Sequence, residues 1–258
     1  MSRETTVWVL LERHGMSFSE AADIDLTQDR PATVWSWYLT CLLLSARISS
    51  DLAIRAARAY LREIGRSVRA TERATWEQRV QVLNANGYAR YDERTSAMLG
   101  DTAAAVRERY GGDLRRLRDE AGGDPDRLHG LLQQFKGVGR VGANIFCREM
   151  QVAWDELYPF IDGDTAQISE RLGLGRRPET VLKDVARQDV PRLLTAMLRA
   201  KRADDLEAVR AGRPPSPGDP RAVLERLSYA RLRSLARDAD LAGRSRMNRD
   251  ELLAALSA

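Results

Sequence analysis

The sequence predicts an all-α protein, and three observations carry that expectation. No segment shows sustained alternation of apolar and polar residues, the mark of a half-buried strand. Residues 34–46 are apolar almost all round, as a helix buried on every side requires. Apolar residues elsewhere recur at helical spacing between Ser, Asp, Pro and Gly residues placed where helices start and stop.

After the buried helix at 34–46, Ser49, Ser50 and Asp51 offer N-caps for a second one. It carries Ile54, Ala57, Leu61 and Ile64 and ends at Gly65. Residues 84–91, with Gly87, form a turn or loop. Asp101 is the expected cap of a helix holding Val106 and Tyr110 and closed by Gly111-Gly112. Asp124 and Pro125 open another, with Leu128, Leu131, Leu132 and Phe135 on one face. Gly173 and Gly175 end a further helix, and Pro191 opens the next, through Leu198. The segment 211–220 is too rich in proline for helix and is expected to be an extended linker. Beyond it, 221–258 carries its own apolar set, including Leu232, Leu235, Leu241, Leu252 and Leu253. The expected organisation is therefore a domain at 1–210, a linker at 211–220 and a small helical module at 221–258.

Composition narrows the classes. At 43% hydrophobic residues the chain can bury ordinary cores. No apolar run reaches the length of a membrane span, and the N-terminus lacks a signal-peptide pattern. A cytoplasmic, nucleoid-associated monomer that does not engage membranes is expected. Two cysteines, Cys41 and Cys147, lie in apolar helical stretches and supply neither a disulfide framework nor a metal site. His14 and His129 have no companion ligands. The net charge is +4, and 221–258 holds eight basic and five acidic residues. All but three basic residues are Arg, which suits phosphate contacts, although a coding bias toward Arg and Ala explains much of the composition.

The sharpest motif is Phe135-Lys136-Gly137-Val138-Gly139-Arg140 between two helical patterns. Alternate glycines permit unusual φ values and let a phosphate come close to the backbone. A helix starting near Val141 presents free N–H groups and the positive end of its dipole. Together these make an anion site that binds phosphate without reading sequence. Val138 is expected to point inward and staple the two helices. Two glycines also suffice for a tight helix–helix turn, but Lys136 and Arg140 beside it favour phosphate.

Residues 34–174 resemble the endonuclease III-like helix-hairpin-helix superfamily of base-excision DNA glycosylases. The resemblance runs through Leu43-Leu44-Ser45-Ala46-Arg47, then 135–144, then Phe160-Ile161-Asp162, then Arg171-Leu172-Gly173-Leu174. It implies a two-lobed helical glycosylase fold built around the hairpin, acting on double-stranded DNA that carries a damaged or modified base. It implies that Arg47 enters the gap left by a flipped base; a surface Arg favoured by the helix dipole is the plainer alternative. It also implies a catalytic Asp downstream of the hairpin. Two stand there, Asp162 and Asp164, separated by Gly163. Asp162 has the apolar approach Phe160-Ile161 and the family-like distance to Arg171-Leu172-Gly173, which outweigh the Asp-Thr pair that Asp164 forms with Thr165; either could be an ordinary N-cap, and Asp164 fits that role comfortably.

Cleaving an N-glycosidic bond needs an anion beside the developing oxocarbenium sugar and a base for water, and one carboxylate can serve both. Relatives that also cleave the strand carry a Lys after the hairpin; the matching residue here is Val141, which supplies no amine for a Schiff base. Many relatives bind an iron–sulfur cluster through four C-terminal cysteines, but no cysteine follows Cys147, so no cofactor is expected. Trp37, Tyr88, Tyr91 and Tyr158 are candidates to stack on an extruded base, while Trp35 and Tyr38 fit the core. Residues 232–256 resemble SAP and Rho N-terminal modules, which implies that Arg244, Arg246 and Arg249 neutralise phosphates. The expected function is a monofunctional DNA glycosylase; a non-catalytic DNA-structure-binding protein is the alternative.

Overall fold

The computed structural model describes residues 2–214, 224, 227 and 229–256. It consists of α-helices and short 3-10 turns, with no strand among the described residues. No helix there is long and apolar enough to cross a membrane. The chain divides into two compact units, one formed by 24–160 and the other by 1–23 with 161–258.

The unit at 24–160 is built on α3 (Pro31–Leu44), whose Trp35, Trp37, Tyr38, Leu39, Cys41 and Leu43 are all fully buried. Around it lie α4 (Ser50–Glu63), α5 (Val68–Arg73), α6 (Trp76–Ala85), α7 (Asp92–Tyr110), α8 (Arg116–Ala121), α9 (Pro125–Leu132) and α10 (Arg140–Met150). Ser49 caps α4 through Leu52 N–H, and Asp124 caps α9 through two N–H groups, as the sequence predicts. Tyr38 sits at the aromatic centre, its ring 5.7 Å from Phe135 and 6.4 Å from Phe146, edge-on to both. Trp35 lies parallel to it at 6.0 Å. Such pairs add a fraction of a kcal/mol to about 1.5 kcal/mol each beyond their buried area.

Helix α7 departs from expectation. It begins at Asp92, and Asp101 lies inside it rather than at its cap. Its buried positions are Thr95, Ser96, Leu99, Thr102, Ala103, Val106 and Tyr110, a helical stripe whose first half is small and polar. The stripe is invisible to hydrophobic periodicity because it packs against a guanidinium. Arg79, buried, donates to the carbonyls of Thr71, Ala74 and Ser96 and so ties α5 and α6 to α7. Gly100 leaves it room: a Cβ there would stand 2.7 Å from Arg79 Nη2.

The other unit pairs α1 (Arg3–His14) and α2 (Phe18–Ala21) with α11 (Gly163–Arg171), α12 (Pro178–Val181), α13 (Val190–Arg202) and α14 (Leu206–Arg210). Val9 and Leu10 of α1 join Ile168, Leu172, Leu193, Leu194 and Met197 in its core. Helix α13 starts one residue before Pro191 and runs past Leu198 to Arg202. Asp205 receives a bidentate pair from Arg13 and a bond from His14. Of the linker, 215–220 lies outside the described residues. A further core of Leu232, Ala236, Leu252 and Leu253 joins α15 (Tyr229–Asp238) to α16 (Arg249–Leu256).

Within the first unit, α10 approaches α3 at Gly142. A Cβ there would lie 2.5 Å from Ser45 Oγ and 3.0 Å from Val138 Cγ1. Gly142→Ala is expected to cost about 1–3 kcal/mol through overpacking, read as a lower denaturant midpoint at unchanged slope.

Candidate nucleic-acid interface

The hairpin joins α9 to α10. Gly137 has φ +93°, and a Cβ on it would meet Met98 Sδ at 2.9 Å and Leu42 Cδ1 at 3.1 Å, so both conformation and packing demand glycine. Val138 is 2% exposed, pointing inward as the sequence predicts. Gly139 differs from its partner. Its φ is −91°, and a Cβ on it would meet nothing within 4 Å. The expectation that both glycines serve unusual backbone angles therefore holds for Gly137 alone. Gly139 occupies the N-cap of α10 with no side-chain cap bond, where Ser or Asp would ordinarily sit. What glycine provides there is an uncovered first turn.

Exposed cations gather on the elements that meet at this turn, beside one exposed carboxylate, Asp101. Arg140 and Gly139 are exposed, and Val141 is 61% exposed. Lys136 is exposed and pairs with Asp101 at 3.2 Å, a solvent-facing pair that a phosphate can replace. Its carbonyl accepts from Thr102 Oγ1, which holds the hairpin on α7. Arg47 lies just beyond the end of α3, whose Leu42 lies against Gly137 and whose C-cap Ser45 lies against Gly142; it is exposed and has no hydrogen bond or ion pair among the described residues. Sequence reading missed what locks the two hairpin helices together. His129 on α9 meets Asn144 Oδ1 on α10 at 2.8 Å, and Gln133 Nε2 approaches the other ring nitrogen at 3.1 Å.

The candidate carboxylates sit on α11. Asp162, 5% exposed, is the N-cap of that helix: its Oδ1 accepts from Thr165 N at 3.1 Å and its Oδ2 from Thr165 Oγ1 at 2.8 Å. Asp164 is exposed in the first turn. The expectation that Asp164 serves as the cap is overturned, because the helix begins at Gly163, two residues earlier than that cap requires, and the N–H of Thr165 reaches back to Asp162.

Two other groups are corrected. Trp37 and Tyr88 are not open to a base: both are buried, donating to the carbonyls of Phe146 and Leu43. Tyr158 is 39% exposed and Tyr91 half-buried. Arg249, expected on phosphate, is 4% exposed and donates to Leu227 O, so its charge serves the fold. Arg244 is half-buried and bonds Leu241 O and Asp240, while Arg246 is exposed. Burial pushes the Cys147 thiol up to about 12 and Cys41 well above its ordinary value, leaving both as inert apolar groups.

No family model matches this chain, and no curated protein matches it. Among solved structures, it is similar to a trapped endonuclease III–DNA covalent intermediate with an estranged adenine, at TM-score 0.42 and 21% identity over 64% of this chain and 73% of that one. It is also similar to a non-covalent endonuclease III–DNA complex, at TM-score 0.41 and 20% identity over 63% and 71%. Neither likeness speaks for a SAP-type module at the C-terminus.

The open space around Gly139 yields a sharp test. Gly139→Asp caps α10 and puts a carboxylate where a phosphate would sit. Stability is expected to change by only a few tenths of a kcal/mol, while affinity for a DNA duplex falls at least tenfold, measured by thermal melting and fluorescence anisotropy.

Proposed function

We propose that this chain is a monofunctional DNA glycosylase that grips duplex DNA through the 135–140 hairpin and hydrolyses the N-glycosidic bond of an aberrant base. The observation that carries the reading is the glycine-capped, uncovered start of α10 with Lys136, Arg140 and Arg47 exposed around the hairpin and the end of α3. Helix-start N–H groups bind a phosphodiester whatever the sequence, and the cations add affinity that falls with salt.

The chemistry is assigned to Asp162. Thr165 fixes both of its oxygens, so the carboxylate is held in one orientation. With the base extruded from the stack, the C1′–N bond breaks and its electrons leave with the base. The carboxylate offsets the positive charge that grows on the sugar and takes a proton from the water that adds to C1′. Val141 offers no amine, and Lys136 on the hairpin is drawn to Asp101 of α7, so the base is released and an intact abasic sugar stays in the strand. A four-cysteine cluster does not fit these residues: the sequence holds two cysteines, both buried. Arg246 is left as the exposed cation of the C-terminal set for a supporting phosphate contact.

One observation favours a second reading, a DNA-structure-binding protein without catalysis. The capping role of Asp162 accounts for its burial and bonds without any chemistry.

The test is product formation on duplexes each carrying one candidate lesion, developed with and without hot alkali. Breaks only after alkali are expected, and Asp162→Asn should lower their rate roughly 10²–10⁴-fold while duplex affinity holds, since Asn also caps helices well. Breaks without alkali would overturn the hydrolytic assignment. Binding with no product across the panel would favour the second reading.

A further inference from the structure

A second basic site lies in the unit at 24–160, away from the hairpin. An open cleft of 530 Å³ is lined by Ser67, Val68, Arg69, Glu72, Arg73, Arg107, Gly111 and Gly112. It brings three guanidinium groups from α5 and α7 together with one carboxylate. Several of the fold's arginines are occupied: Arg79 by carbonyls, Arg118 by Glu156, Arg115 by Asp113, Arg192 by Glu20. Arg69 and Arg73 differ, being exposed with no hydrogen bond or ion pair among the described residues. Arg107 is 62% exposed and pairs with Glu72 at 2.7 Å. An exposed pair of that kind contributes about 0–1 kcal/mol and yields readily to a better anion.

The position of the cleft separates it from the hairpin. Helix α7 presents Met98 and Thr102 to the hairpin. Arg107 follows Met98 by about two and a half turns, which places it on the opposite face of α7 and about 13 Å further along its axis. A straight duplex held at Gly139 therefore does not also fill the cleft. In sequence the two arginines of α5 end a basic run, residues 55–73 holding six Arg against Glu63 and Glu72, but Arg55 and Arg62 are already bonded to Asn86 O and Glu63, so the site rests on Arg69, Arg73 and Arg107. Guanidinium forks match phosphate oxygens in bidentate fashion, and repeated Arg at this spacing suits a repeating polyanion better than a single small anion.

We infer that the Arg69/Arg73/Arg107 cleft binds the phosphate backbone of a second DNA segment, so that one molecule bridges two duplexes. The cleft stands on residues separate from the hairpin, while the bridging rests on the hairpin reading. Such a site would let a searching protein pass between DNA segments without full release.

The experiment is a sandwich capture with the full chain: one duplex immobilised on beads, a second fluorescent duplex in solution. Wild-type protein should retain the second duplex, with affinity falling roughly 40-fold between 50 and 200 mM salt if three phosphates are neutralised. The variant Arg69→Ala/Arg73→Ala/Arg107→Ala should bind a single duplex within threefold of wild type, yet lose capture at least tenfold. Glu72→Gln, which releases Arg107, should raise capture two- to fivefold and guards against a loss caused by misfolding. Gly139→Asp should lose attachment to the first duplex. If it instead binds single duplexes normally while the triple variant does not, the hairpin reading fails and the cleft stands. The proposal is overturned by no capture with wild type, by undiminished capture with the triple variant, or by no gain with Glu72→Gln. It is also overturned if a polyglutamate peptide displaces the second duplex as well as unlabelled DNA does.

Discussion

The close approach of α10 to α3 is the constraint on which the hairpin depends. Gly142 removes the one Cβ that would strike Ser45 and Val138, Gly137 turns the chain with φ +93° against Leu42 and Met98, and Val138 fills the seam between them. Interiors pack as densely as organic crystals, so a methyl group at either glycine has nowhere to go. With the seam closed, the start of α10 is held rigidly at the surface beside the end of α3. This packing fixes the direction of the N–H groups in the first turn of α10, as the proposed phosphate contact requires.

The same region shows how one residue type serves opposite ends. Gly137 and Gly142 are required by geometry, whereas Gly139 is required by neither angle nor space. A side chain there would cap the helix, and its absence leaves the first turn uncovered. The arginines divide in the same way. Arg79 and Arg249 are buried and spend their donors on backbone carbonyls, which stabilises the fold because a buried guanidinium without partners is costly. Arg47, Arg69 and Arg73 keep their charge at the surface. Composition treats all of these alike; burial and partners separate them.

Asp162 illustrates a different economy. An N-cap carboxylate satisfies helix N–H groups and is held in place by them. The residue that starts α11 is thereby held in one orientation, which the proposed chemistry would use. Asp164, one turn position later, has no such support and faces solvent.

The sequence by itself determined the all-helical class, the main caps at Ser49 and Asp124, the Gly111 stop of α7, the inward Val138 and the core roles of Trp35 and Tyr38. Those features are local: a cap, a φ value or an apolar stripe is written within a few residues. Helices α2 and α6 were missed, although the capping boxes Ser17–Glu20 and Thr75–Gln78 mark their starts, because periodicity alone passes over them. Tertiary structure decided the rest. The first half of α7 is helical because it packs on the buried Arg79, residues distant in sequence. Asp162 rather than Asp164 caps α11, Trp37 and Tyr88 turn inward, and Arg249 is buried, each settled by which partner lies within hydrogen-bonding reach. The meeting of Arg69 and Arg73 with Arg107, more than thirty residues apart, likewise exists only once α5 lies against α7, because charge placement across helices follows packing and not spacing along the chain.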